Sequence, residues 1–283
     1  MLRASLASTA VLAAACGRVG FSPTPDAATA GEEQCTLGPW GNTERLAMLA
    51  SIGDDWEPAM SIDGLVLVFA SNRDDVVNHL YVATRASTSE SFDNVRALTE
   101  LTGGTMREDS PAWSLDGSRL YFSRGSRAMS AEHLGGGMFA APIDAALPDG
   151  DSWVMANGEL ETFYMVYPAP NDGDLKHATR GSLADPWTVD GALDAMNRVG
   201  SPDGWPAFDE ARQELYVEQE SASGAELRVA SRASPGEPFG PLSTIEFGGD
   251  PDISRDGRTL LFAADRLGGA GGADIYMLTR DCE

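Results

Sequence analysis

Positive charge is scarce in this sequence of 283 residues: 20 Lys and Arg stand against 43 Asp and Glu, a formal net charge of -23. Such a surplus repels nucleic acid and anionic headgroups. Any electrostatic partner is expected to be basic or a cation, unless the acidity serves only solubility. Histidine is scarce too, and His79, His133 and His177 have no second His or Cys at ligand spacing, so no metal site and no cofactor are expected. No Gly-x-Ser-x-Gly elbow occurs, which argues against a serine peptidase. The glycine-rich stretches 135–137 and 267–273 lack the Lys-Ser/Thr of a phosphate loop and precede strand-like residues, so they read as hairpin connections. Long apolar runs are absent: the segment from Ala4 to Ala15 falls short of the about 20 residues that cross a bilayer.

What the sequence does have is turns and repetition. It holds 31 Gly and 16 Pro, and 42% hydrophobic residues are enough for one sizeable core. Four strand-like runs end in Thr or Ser followed by Arg, and in three of them an aromatic follows seven residues later and an aliphatic six further on: Arg85, Phe92, Leu98; Arg180, Trp187, Leu193; Arg232, Phe239, Ile245. The fourth is split, with Arg280 near one end of the chain and Trp40 and Leu46 near the other. A second phrase recurs upstream, as Glu57-Pro-Ala-Met-Ser-Ile-Asp-Gly64, Ser110-Pro-Ala-Trp-Ser-Leu-Asp-Gly117 and Asp250-Pro-Asp-Ile-Ser-Arg-Asp-Gly257. Residues 153–193 align without a gap on 205–245, matching Trp153 with Trp205, Tyr164 with Tyr216 and Arg180 with Arg232. The count of units is therefore five.

Each unit reads as four short strands. Asp-Gly between alternating apolar runs favours a tight hairpin, because Gly tolerates positive φ and the Asp carboxylate bonds backbone amides across the turn. Leu65–Phe69, Leu120–Phe122 and Thr259–Phe262 are second strands; Leu80–Thr84, Leu227–Ser231 and Asp274–Thr279 are third strands. Unit two is the least regular. Its third strand is placed at Met138–Ile143, with Pro142 in it and no clear outer strand before Asp151, so a three-stranded or frayed edge is expected, and Gly125–Gly137 becomes a long loop able to fold over the channel mouth. Four-stranded units of this length, arranged radially, form a β-propeller. The expected fold is all-β and five-bladed, with six blades as the alternative. Pro-Ala-x-Ser-x-Asp-Gly-x-x-Leu-x-Phe followed by Leu/Ile-Tyr resembles the TolB-like propeller repeat, a relative of the WD-type repeats, over nearly everything from Thr36 to Cys282. That resemblance implies mostly binding and scaffold roles.

The split repeat implies a closed ring, blade five taking its outer strand from Pro39–Leu49. Ahead of the ring, Met1-Leu-Arg3, the apolar segment and Ala13-Ala-Ala-Cys16 resemble a bacterial lipoprotein signal. The expected organisation is a signal peptide at 1–15, a lipidated Cys16, a disordered tether at 16–34 and the propeller at 35–283. A plain secretory signal is the alternative. The protein is then extracytoplasmic, in the bacterial cell envelope, monomeric and bound to the membrane only through lipid. Cys282 lies two residues after Arg280 and Cys35 five before Trp40, which adds to the seven-residue spacing of the intact units. A Cys35 to Cys282 disulfide is expected, stabilising by roughly 4 kcal/mol in the chain-entropy model.

In a propeller, the loops entering the innermost strands and those joining second to third strands lie on one face, around the channel. Here they carry Asp55, Glu57, Asp109, Asp203 and Asp250, with Arg73, Arg124 and Arg266 among them. Three readings stay open: a structural network of paired charges, a site for a cation or basic peptide, or catalytic carboxylates. Five-bladed propellers include glycoside hydrolases, which need two carboxyls at fixed separation, but equivalent repeat positions single out no pair. Trp56, which precedes the first inner strand, is the aromatic expected at the channel mouth, whereas Trp40, Trp113, Trp153, Trp187 and Trp205 are expected to pack between blades. The function expected is binding of a protein partner or small ligand, with a glycan-acting hydrolase as the alternative.

Overall fold

The computed structural model describes residues 36–166 and 173–283, so the signal segment, Cys16, the tether and Cys35 lie outside the described residues. Alternating apolar residues produce five antiparallel sheets; in four of them the strands run in chain order from the axis outwards, and the fifth takes its outer strand from the other end of the chain. Blade 1 comprises Asp55–Met60, Val66–Ser71, His79–Thr84 and Asp93–Ala97. Blade 2 comprises Glu108–Trp113, Arg119–Arg124, Arg127–Gly135 and Ile143–Asp144, with Met138–Phe139 paired to the end of its third strand. Blade 3 is Asp151–Ala156, Glu161–Val166, Asp174–Thr179 and Thr188–Asp190. Blade 4 is Asp203–Asp209, Glu214–Ser221, Gly224–Ser231 and Ser243–Phe247. Blade 5 is Gly249–Ile253, Thr259–Ala264, Asp274–Thr279 and, from the other end of the chain, Glu44–Arg45. The first strands touch in a cycle, blade 5 meeting blade 1, so the ring has five members and not six.

The sheets pack face to face through buried side chains, as where Val68, Leu80 and Val82 of blade 1 meet Leu120 and Phe122 of blade 2. Each such residue contributes about 1.5–3 kcal/mol by leaving water. The recurrent Arg and aromatic now have a physical cause. Arg85, Arg180, Arg232 and Arg280 lie over Phe92, Trp187, Phe239 and Trp40 at 4.3, 4.2, 4.9 and 4.2 Å. Three of them also donate Nε–H to the carbonyl of a hairpin turn, Gly64, Glu159 or Gly257. The Ser-x-Asp-Gly phrases are turns: Ser61 Oγ donates to Asp63, which also accepts the Leu65 N–H, and Gly64 sits at φ 70.

Blade 5 closes as the split repeat requires. Glu44 and Arg45 pair with Met277 and Tyr276, Leu37 bridges Cys282, and Trp40 stacks on Arg280. Trp40→Ala removes half-buried aromatic surface and a cation–π contact, and is expected to cost about 2 kcal/mol in urea unfolding. An unchanged midpoint would mean that the stacked strand does not hold the ring.

Blade 2 departs from expectation. Its third strand is Arg127–Gly135, entered by a tight turn at Gly125, so no long loop covers the channel at 125–137. Gly135, Gly136 and Gly137 all have positive φ and reverse the chain into Met138–Phe139. Pro142, lacking an N–H, lies outside the ladder, and a short outer strand follows it at Ile143–Asp144.

Candidate functional site in the central channel

All five inner strands carry the same irregularity. Their pairing slips by a β-bulge at one point, where a residue other than glycine takes positive φ: Glu57 at 51, Ser110 at 51, Ser152 at 52, Trp205 at 45 and Asp250 at 52. In four of the five the next residue is Pro. Proline disfavours a right-handed helical conformation before it, and at a bulge its absent donor does no harm. Left-handed backbone at such residues costs of order 1–3 kcal/mol each, strain of the kind that clusters at functional sites.

These five residues line a cavity of about 250 Å³ on the axis. Its lining runs outwards from them to Ile62, Leu115, Glu210 and Arg255, which belong to the turns after the inner strands. The cavity therefore opens on the face opposite the strand entries, where the sequence had placed the site. At its floor Trp205 of blade 4 donates Nε1–H across the axis to Glu57 of blade 1 at 3.2 Å. Glu57 also accepts the Ser110 N–H at 2.8 Å and the Ser110 hydroxyl at 3.2 Å. Asp250 donates its N–H to Glu218 at 3.1 Å.

On the entry face the carboxylates have cations of their own. Asp55 meets Arg73 at 2.5 Å and Glu108 meets Arg124 at 3.0 Å. Asp203 is held by Arg198 at 2.8 Å. Arg107 reaches both Asp109, at 3.1 Å, and Asp151, at 3.3 Å. Arg266 donates to the Phe247 carbonyl and pairs with Glu246, away from any entry carboxylate. Trp56 is not at the mouth. It packs into the core between blades 1 and 2, with its indole N–H buried and unpartnered. The sequence reading had exchanged the roles of Trp56 and Trp205: the residue before the inner-strand proline faces the axis, and the one before that faces the neighbouring blade. Arg107, Arg198, Asp151 and Glu218 were not singled out from sequence. Asp151 had a signal, because the alignment that matches Trp153 with Trp205 also matches it with Asp203.

Carboxyls near the waist of the channel hold their protons unusually well. Burial, then repulsion from Asp151, pushes Glu57 up to about 7 despite its three donors. Burial with Glu57 and Asp151 nearby pushes Asp109 to about 8, and burial pushes Glu218 and Asp252 to about 7. Asp250 is raised well above its ordinary value by burial, then by Glu218 and Glu57. In the unfolded chain these groups release their protons in the ordinary carboxylate range, so between there and about 8 the native state binds more protons. The stabilisation is complete below that range and lost as pH rises through the native values. The thermal midpoint is accordingly expected to fall between pH 5 and about 8, and a rise over that window would contradict the proton retention.

Among the described residues no group of three or more His, Cys, Asp and Glu is arranged to hold a metal ion. No family model and no curated protein matches the sequence. Solved structures do. A GH62 hydrolase in complex with xylotriose superposes with a TM-score of 0.58 at 12% identity, covering 87% of this chain and 98% of that one. An α-L-arabinofuranosidase of Podospora anserina in complex with cellotriose gives 0.55 at 11%, covering 88% and 98%. TolB of Acinetobacter baumannii gives 0.49 at 11%, covering 81% of this chain and 55% of that one. At these identities the likeness is one of architecture: the chain is a five-bladed β-propeller.

Proposed function

We propose that the protein acts on a glycan in the central cavity, as a hydrolase whose acid and base are channel carboxyls. The observation that carries this reading is Glu57, which borders the cavity, is held by Trp205 and Ser110 and titrates at about 7. Glu57 carries three donors on its carboxyl, which support its charged form, and it is assigned as base or nucleophile. Asp250 has burial, Glu218 and Glu57 all opposing its charge, and is assigned as the acid. A coupled set has titration steps that belong to the group. What glycoside cleavage needs is a protonated carboxyl beside an ionised one, and near neutrality this set supplies both. The lining adds apolar surface from Met60, Trp113, Met155 and Trp205. The fold's neighbours include a GH62 hydrolase holding xylotriose and a family-43 glycoside hydrolase, which supports a sugar as ligand.

Incubating the full chain with arabinoxylan, xylo-oligosaccharides and aryl glycosides tests the reading through release of reducing ends. Calorimetric titration of the same oligosaccharides runs beside it. Binding without release would favour a second reading, a ligand- or protein-binding scaffold. The specific observation on its side is that Asp55, Glu108, Asp109 and Asp203 each pair with an arginine, Arg73, Arg124, Arg107 and Arg198, as in a structural network of charges. In either case the proposed setting is the cell envelope, with Cys16 lipidated, residues 16–34 as a tether and Cys282 bridged to Cys35.

A further inference from the structure

Arg255 lies across the opening of the cavity. It occupies the variable place of the Ser-x-Asp-Gly turn in blade 5, where the turns of blades 1 and 2 have Ile62 and Leu115. All three side chains line the cavity rim. Arg255 is exposed, and its Nη1 donates to the Leu115 carbonyl at 3.1 Å. Blades 5 and 2 are not neighbours in the ring, so this bond spans the mouth. Among the described residues no carboxylate stands in ion-pair range of Arg255, although the chain has 43 acids to 20 bases. The rim carboxylates are engaged elsewhere: Asp209 pairs with Arg212 at 2.9 Å and Glu210 accepts the Asn157 N–H. The guanidinium thus has a single neutral acceptor where a carboxylate would give it a charge-assisted, two-pronged partner.

Resting on the glycan reading above, we propose that Arg255 is a specificity-determining residue that binds the carboxylate of an acidic sugar, so that the cavity prefers uronic-acid-bearing oligosaccharides to neutral ones. The ligand carboxylate takes the place of the Leu115 carbonyl as acceptor, and the side chain swings off the mouth as it does so. The neutral hydroxyls of the rest of the ligand face Glu57, Ser110 and Ser152 at the floor.

The test is calorimetric titration of wild type, Arg255→Leu and Arg255→Lys with xylotriose and with xylotriose bearing a glucuronic acid branch, at low and high salt. Leucine is the natural choice, because the same turn position in blade 2 already holds it. Wild type is expected to bind the acidic ligand about tenfold more tightly, one charge-assisted contact, with a preference that shrinks as salt rises. Arg255→Leu should bring the ratio of the two affinities close to one, and Arg255→Lys should fall between. A preference that survives in Arg255→Leu overturns the inference, and so does a wild type that binds both ligands equally, with the glycan reading left standing. If neither ligand binds the folded wild type, the glycan reading falls and this inference with it.

Discussion

Replacing Glu57 by glutamine is expected to lower glycan hydrolysis by at least about 10²-fold, the usual worth of a positioned acid or base, while the propeller stays folded. Glutamine keeps an acceptor for Trp205 or Ser110 but cannot take or share a proton. The pH profile gives the sharper readout. Wild-type activity should rise as pH passes about 7, where Glu57 ionises, and fall again where Asp250 loses its proton. In E57Q the rising limb should be gone from whatever activity remains. Stability should move the other way. Glu57 is held protonated in the folded protein against its ordinary preference, so a neutral side chain removes an ionisation that favours the unfolded chain at every pH above the ordinary carboxylate range. Lost activity with an equal or higher unfolding temperature is the pattern of a functional carboxyl. If E57Q hydrolyses at the wild-type rate, the assignment of the base is wrong.

Arg232→Ala is expected to cost about 3–5 kcal/mol of folding stability, because it leaves a buried carboxylate without its cation. Arg232 follows the third strand of blade 4, and its two Nη atoms reach the carboxylate of Glu161 on the second strand of blade 3 at 2.6 and 2.7 Å. The guanidinium is enclosed by the rings of Phe163, Phe208 and Phe239, so little solvent screens the pair. Burial alone would push Glu161 up, yet Arg232 and His177 pull it down to about 2. Its contribution is therefore present above the ordinary carboxylate range and lost as pH falls towards 2. His177, whose ring nitrogens donate to the carboxylates of Glu161 and Asp190, is raised despite its burial, and its share is lost as pH climbs past its native value. Urea unfolding of R232A near neutral pH measures the effect. The double variant with Arg232 and Glu161 both replaced by Met should recover most of it, since apolar residues of similar volume tolerate the site. A cost below about 1 kcal/mol for R232A would place the pair among screened surface bridges.

These two sites differ in how far they could be read from sequence. Arg232 was visible through its spacing to Phe239, because the stacking contact is made within one blade and repeats around the ring. Its bond to Glu161 crosses to another blade, and no spacing encodes it. At the channel, Glu57 and Asp250 were singled out as acids of the loops entering the inner strands. Their shared place before a proline is the finer mark, and it would also have pointed to Trp205 and Ser110 had the prolines been used as the register mark in place of the tryptophans. Asp55 and Asp203 were equally prominent in sequence, but the arginines that satisfy them come from a second-to-third connection in one blade and from the loop before the inner strand in the other.

The split repeat, the Asp-Gly turns and the period-2 runs pointed by themselves to a closed ring of five blades, with six as the alternative, because turn chemistry, strand alternation and Arg-aromatic stacking act over short stretches of chain; the cycle of first-strand contacts decided for five. Which end of the channel opens was decided only by the tertiary structure. The bulge turns one residue per blade towards the axis, and the five that meet there, Glu57, Ser110, Ser152, Trp205 and Asp250, come from five different blades far apart in sequence. Their proton affinities follow from that meeting, since burial and mutual repulsion depend on distances that no single repeat contains.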